Sequence, residues 1–260
     1  GGNDVIQGRG GVDIIDGGSG NDQIFGGAGN DTINGGDGSD LIDYRDEGAT
    51  GGVTVDLTTG IATDAFGDTD RLVSIERINA TNHADHLTGD DGDNNMDGFE
   101  GDDTLIGNGG IDNLFGGDGN DILDGGDGDD TLSAGNGADL LLGGDGNDQF
   151  QHLFDSNTVF GGAGDDRIFA SVFSATDTVN GGTGQDQIDL FFTLPNHIRV
   201  VSADETTGDL HLAGNVTNND PTPAGIGILL DDQLNGSGNE TELLALDSTV
   251  YNITTTLGSS

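Results

Sequence analysis

Aspartate returns along this chain every nine residues. Asp4, Asp13, Asp22, Asp31 and Asp40 keep the interval near the start. Asp85, Asn94, Asp103, Asp112, Asp121, Asp130, Asp139, Asp148, Asn157 and Asp166 keep it later, and Asp177 and Asp186 continue it after a slip. Carboxylates at a fixed interval could serve acid–base chemistry or bind a metal. The catalytic reading lacks companions: there is no lysine, no cysteine, no H-E-x-x-H and no serine in G-x-S-x-G. His83 and His86 sit on a degenerate turn, where His83 replaces a glycine, and His152, His197 and His211 are scattered. What remains are oxygen donors, from aspartates and from main-chain carbonyls. An all-oxygen set selects a hard cation over zinc or copper. Calcium accepts about six to eight oxygens in flexible geometry, whereas magnesium demands a tight octahedron, so calcium is the expected ion.

The elements that carry these acids are read from the same period. Gly17-Gly18-Ser19-Gly20-Asn21-Asp22-Gln23-Ile24-Phe25 runs straight into Gly26-Gly27-Ala28-Gly29-Asn30-Asp31-Thr32-Ile33-Asn34, and that into Gly35-Gly36-Asp37-Gly38-Ser39-Asp40-Leu41-Ile42-Asp43. The unit is G-G-x-G-x-D-x-U-x, with U a large apolar residue. The glycines permit a tight turn. The x-U-x triplet is a short strand whose U points inward while its neighbours point out. Two units make one coil, and coils stack at about 4.8 Å, so the repeats of 80–189 give a stack of roughly 29 Å. The expected fold is all-β, a right-handed parallel β-roll in two blocks, 1–43 and 80–189. One aliphatic residue in nine cannot offset a backbone entropy of about 1–2 kcal/mol per ordered residue. The fold therefore needs its ions.

This nonapeptide resembles the RTX, or hemolysin-type, calcium-binding repeat, found in parallel β-roll domains of bacterial type I-secreted proteins. The resemblance implies that each ion lies between turns of adjacent coils, eighteen residues apart. It implies carbonyl ligands from positions one and three of one turn and two and four of the next. On this chain those fall on Gly17, Gly18, Ser19, Gly20, Gly26, Gly27, Ala28, Gly29, Gly35, Asp37, Gly116, Asp118, Gly125, Asp127, Gly143, Asp145, Gly161 and Ala163. It also implies that an interior sixth-position Asp bridges two ions, one oxygen to each. The pairs are Asp4–Asp22, Asp22–Asp40, Asp13–Asp31, Asp85–Asp103, Asp103–Asp121, Asp112–Asp130, Asp121–Asp139, Asp130–Asp148 and Asp148–Asp166. They set an expectation of about nine or more Ca2+ ions. Asn94 and Asn157 offer one oxygen and no charge, and mark weaker or end sites.

Composition narrows the partners. With 50 glycines in 260 residues, 32% hydrophobic residues and a net charge of −42, the chain would read as disordered if the acids were not in phase with the glycines. Six arginines and no lysine provide no footprint for nucleic acid. Without cysteine, metal takes the place of disulfides. No apolar run is long enough to span a membrane. Gly1-Gly2-Asn3-Asp4 lies inside a repeat and is not a signal peptide.

Two segments lack the repeat. In 44–79, Val53, Val55 and Leu57 alternate, Thr58-Thr59-Gly60 turns, and Asp70 to Ile78 leads back. It resembles connectors between RTX repeat blocks and reads as β structure packed beside the roll. Residues 190–260 keep short β patterns at Ile198–Val201, Asp209–Ala213, Ile226–Leu230 and Val250–Thr254. They read as a C-terminal β cap, and the RTX resemblance implies a secretion signal at this end. The expected role is non-enzymatic: a secreted, extracellular structural module of a bacterial surface layer, adhesin or fibre, which folds on calcium. Its expected partners are calcium, further copies of itself and neighbouring surface proteins. The alternative is the secretion and folding module of an exported protease, lipase or alginate epimerase. A third option, ice or carbohydrate binding, is disfavoured because the outward positions vary too much.

Overall fold

The computed structural model describes residues 1–45, 50–153, 156–170 and 178–190, with the strands Ile198–Val200, His211–Val216, Ile228–Leu230, Thr241–Leu243 and Tyr251–Thr256. Asp177 lies outside the described residues. The contacts divide the chain into two units, Gly1–Gly125 and Gly126–Ser260. All the named elements are strands.

In the first unit, one sheet orders Val5–Gln7, Gln23–Phe25, Leu41–Asp43, Arg77–Asn79, Asn95–Glu100 and Asn113–Asp118, all parallel. Register follows the repeat, with Ile6 opposite Ile24, Ile24 opposite Ile42 and Met96 opposite Leu114. The other sheet begins with Ile14–Ser19 and Thr32–Asp37, with Ile15 opposite Ile33, and resumes with His86–Thr88 and Thr104–Gly109. Parallel pairing without helices is possible because each glycine turn carries the chain straight to the opposite sheet. The eighth-position residues then stack inward. Ile24, Ile33, Ile42, Leu87, Met96, Leu105, Leu114 and Leu123 are fully buried.

The connector is laid into these sheets rather than beside them. Thr69–Val73 continues the second sheet parallel to Thr32–Asp37, with Leu72 opposite Ile33. Ile61–Thr63 and Thr54–Asp56 follow as antiparallel strands, and Thr54–Asp56 pairs parallel with His86–Thr88. In the first sheet, Arg77–Asn79 sits directly between Leu41–Asp43 and Asn95–Glu100, with Ile78 between Ile42 and Met96. The physical reason is that Asp70-Arg71-Leu72-Val73 and Glu76-Arg77-Ile78-Asn79 preserve the strand half of the repeat. Leu72 and Ile78 are buried where U residues belong.

In the second unit, Thr131–Asn136, Gln149–Leu153, Arg167–Ala170, Gln187–Leu190 and His211–Val216 are parallel, and Tyr251–Thr256 joins antiparallel. The other sheet runs Leu140–Asp145, Thr158–Ala163, Thr178–Thr183, Ile198–Val200 and Ile228–Leu230, closed by antiparallel Thr241–Leu243. The slip shows as register: Val159 faces Val179 and Ile168 faces Ile188, so both strands absorb the same two extra residues and the inward column survives. Leu132, Leu141, Phe150, Val159, Ile168 and Val179 are fully buried.

Candidate metal sites

A single turn defines the geometry. Gly18 and Gly20 have φ of 97° and 119°, which bend the chain back within the turn. The first glycine serves a different purpose. A Cβ on Gly17 would meet Asp22 Oδ2 and the Gly35 carbonyl oxygen, each at 2.5 Å, so the missing side chain leaves room between a carboxylate and the next coil. Asp22 reaches there from the sixth position. Its Oδ1 accepts the Asp4 N–H at 2.7 Å, and its own N–H donates to Asp40 Oδ1 at 2.7 Å. Its carbonyl accepts the Leu41 N–H at 2.8 Å. Oδ2 is buried and has no hydrogen-bond partner.

The same clip recurs eighteen residues apart, from Asp13 N–H to Asp31 Oδ1, Asp85 to Asp103, Asp103 to Asp121, Asp130 to Asp148 and Asp148 to Asp166, at 2.8–2.9 Å. Across the slip the Asp166 N–H reaches Asp186 Oδ1 at 3.1 Å. Oδ2 of Asp13, Asp31, Asp40, Asp103, Asp148 and Asp166 is likewise buried and unpartnered. In this arrangement Oδ1 accepts a main-chain N–H, which leaves it further lone-pair capacity, and Oδ2 has no protein partner. Position-three carbonyls also carry a load. Those of Ser19, Asp37, Asp145 and Ala163 accept the N–H of Gly2, Gly20, Gly128 and Gly146 at 2.6–2.8 Å, which leaves a second lone pair on each.

Several predicted residues depart from the pattern. Asp4 is exposed. Both Asp85 oxygens have protein partners, Oδ1 from the Val53 N–H and Oδ2 from the Thr81 N–H at 2.9 Å. Asn94 Oδ1 turns back to the Asp90 N–H of its own turn at 2.8 Å, whereas Asn157 Oδ1 keeps the clip to the Asp139 N–H at 2.9 Å. Two acids escaped the sequence reading. Asp70 Oδ1 accepts the Asp31 N–H at 2.9 Å, and Glu76 Oε2 accepts the Asp40 N–H at 2.9 Å. Ser74 O crowds Gly35 as a first-position carbonyl crowds the glycine of the coil before it. The turn is short there, and the longer glutamate makes up the reach. The available signal was an acid two residues before a buried aliphatic.

Burial governs the ionisation of these acids. It raises Asp103 and Asp148 to about 7, Asp166 to about 8 and Asp121 to about 6, against the lowering effect of the donated N–H, with neighbouring acids raising them further. A buried carboxylate whose second oxygen has no donor is costly unless a cation lies beside it. The donor set fits calcium: anionic and carbonyl oxygens only, in turns that glycine keeps open.

A parallel β-roll with in-register aspartate turns defines a class of metal-binding repeat domains. The model of the RTX calcium-binding nonapeptide repeat matches residues 1–24, 16–46, 79–114, 115–150, 154–172 and 173–190, and the chain belongs to that family. Among solved structures it is similar to the extracellular lipase LipA from Serratia marcescens, at 22% identity and a TM-score of 0.25. That alignment covers 70% of this chain and 31% of the lipase, so the chain spans under a third of its length. No curated protein matches the sequence.

Proposed function

We propose that this chain is a calcium-folded structural module of the extracellular space, working in a bacterial surface layer, adhesin or fibre. The observation that carries the reading is the set of buried Oδ2 atoms without protein partners. A chain with a net charge of −42 cannot close around them until cations neutralise them. The repeat aspartates, with first- to fourth-position carbonyls, hold the ions, and calcium supplies charge neutralisation and links between coils. Cytosolic calcium is far too low to fill weak all-oxygen sites. The chain thus stays extended inside the cell, passes a type I exporter and folds outside, with nearest-neighbour coupling making the filling cooperative. We assign residues 190–260 as the cap. The antiparallel strands Thr241–Leu243 and Tyr251–Thr256 support this, since they end the parallel order of the two sheets. The module has no catalytic task, and its acids are accounted for by metal.

The test is a calcium titration of stripped protein, followed by circular dichroism and by light scattering. Folding with a cooperative calcium midpoint, then growth of assemblies in millimolar calcium, is the expected result. A β spectrum that persists after complete metal removal overturns the calcium reading. A folded chain that stays monomeric at high concentration favours instead the folding module of an exported enzyme.

A further inference from the structure

Where the connector meets the second block, one coil breaks the donor pattern in both of its turns. In an ordinary turn the sixth-position Oδ2 lies beside the first glycine and near the first-position carbonyl of the following coil, as Asp22 does with Gly17 and Gly35, and Asp103 with Gly98 and Gly116. That oxygen has no protein donor in Asp13, Asp22, Asp31, Asp40 and Asp70 before the junction, nor in Asp103 after it. The coil of residues 80–94 differs. Its first turn has Ala80-Thr81 in place of Gly-Gly, both buried. Thr81 folds onto the acid that follows it: Asp85 Oδ2 accepts the Thr81 N–H at 2.9 Å and the Thr81 hydroxyl at 3.1 Å. The Val53 N–H donates to Oδ1, so Val53, an apolar residue, stands where the sixth-position acid of the preceding coil belongs. The second turn ends on Asn94, which carries no charge. Asn94 Oδ1 lies beside Gly89 and the Gly107 carbonyl, the place of an ordinary Oδ2, and there accepts the Asp90 N–H of its own turn at 2.8 Å. Donors within the chain thus take the oxygens that elsewhere face an ion.

The junction also has a fastening that needs no ion. Asp43 ends the last repeat of the first block. Its carboxylate accepts Arg45 Nε at 3.0 Å and a terminal guanidinium nitrogen at 2.7 Å, with the side-chain amides of Gln23 at 3.0 Å and Asn79 at 3.3 Å. The Arg45 guanidinium lies 4.7 Å from the centre of the Phe99 ring. Phe99 has φ of 69° at the second position of its turn, a conformation that glycine takes in most of the other turns. The clasp therefore runs from Gln23–Phe25 and Leu41–Asp43, over the connector strand Arg77–Asn79, to Asn95–Glu100. Coupling in a solenoid passes between neighbouring coils. Elsewhere an ion between turns can carry it; across 80–94 the strand ladder and the Arg45 clasp are what carry it.

We propose that residues 80–94 are a metal-free coil, so that the ions of the first unit fill in two groups. One group lies in the first block with the connector acids Asp70 and Glu76, and the other begins at Asp103. Each is cooperative within itself, and the two are coupled through the strand ladder and the Arg45 clasp. The inference rests on the calcium-folding reading above. Its consequence is that one group can take up or lose calcium while the other keeps its fold.

Hydrogen exchange followed by mass spectrometry, on the full chain across a calcium titration, separates the groups through peptides from 1–43 and 98–125. Asp22→Asn should raise the calcium midpoint for protection of 1–43 by about tenfold and leave that of 98–125 in place, and Asp103→Asn should do the reverse. Should a variant leave its own segment unprotected at every calcium concentration, the parent midpoint in the other segment still supports the break. A shift of both segments together, with either variant, overturns it. Arg45→Ala touches no repeat ligand and should widen the interval between the two midpoints; an unchanged interval overturns the part given to the clasp. If neither segment of the parent chain gains protection with calcium, the calcium-folding reading is what falls.

Discussion

Asp103→Asn separates the two jobs of a repeat aspartate. Asp103 Oδ1 accepts the Asp85 N–H at 2.8 Å, a bond that an amide oxygen can keep. Oδ2 lies in the space above Gly98 near the Gly116 carbonyl, where an amide NH2 is a donor facing an acceptor. Without metal the substitution removes a buried charge. Burial raises this carboxyl from 3.8 to about 7, roughly three units at about 1.4 kcal/mol each. That is a ceiling of about 4 kcal/mol, or about 2 kcal/mol after discounting for solvent screening. The metal-free roll should therefore be stabilised above pH 7, and osmolyte-induced folding of stripped Asp103→Asn should need less osmolyte than the parent. With calcium the sign reverses. An anionic ligand is lost and the calcium midpoint rises, well beyond the change from Asp4→Ala, since Asp4 is exposed. Circular dichroism along both titrations gives the two numbers. If Asp103→Asn destabilises the roll equally with and without calcium, Oδ2 is not an ion ligand and the argument from buried unpartnered oxygens fails.

Acid should partly replace calcium. The folded carboxyls of Asp103, Asp148 and Asp166 stand at about 7 to 8 against 3.8 unfolded, so the folded state binds more protons in that window. The penalty they impose is complete above about pH 8 and absent below about pH 4. Stripped protein should gain β structure as pH falls through this range, while calcium-loaded protein releases its ions; a stripped chain equally unfolded at both ends contradicts the assignment. Gly107→Ala places a Cβ against Asp112 Oδ2 and the Gly125 carbonyl, and should raise the calcium midpoint severalfold, whereas Gly92→Ala meets only Asp90 Oδ1 at 3.2 Å and should change it little. Glu76→Asp shortens the one side chain that spans a shortened turn. It should cost about 1 kcal/mol or more through the lost bond to the Asp40 N–H, measured by urea unfolding in saturating calcium.

The periodic part of this protein was legible in the sequence because its determinants are local. Each glycine turn, acid and inward aliphatic lies within nine residues, so the period placed Ile24, Leu105 and Phe150 inside and an all-oxygen donor set in the turns, and the resemblance to the RTX repeat implied the parallel roll. Which main-chain N–H each acid accepts was not legible. That depends on the N–H presented by the neighbouring coil, eighteen residues away in the repeats but 39 away for Asp31 and Asp70, and 36 for Asp40 and Glu76. Those two acids keep the strand half of the repeat and lose most of its glycine half, so a reading keyed to glycine passed over them. Asp85 kept its place in the pattern, yet Thr81 and Val53 took both its oxygens. Spacing determines what a turn can offer; the coil stacked upon it decides what is left to bind.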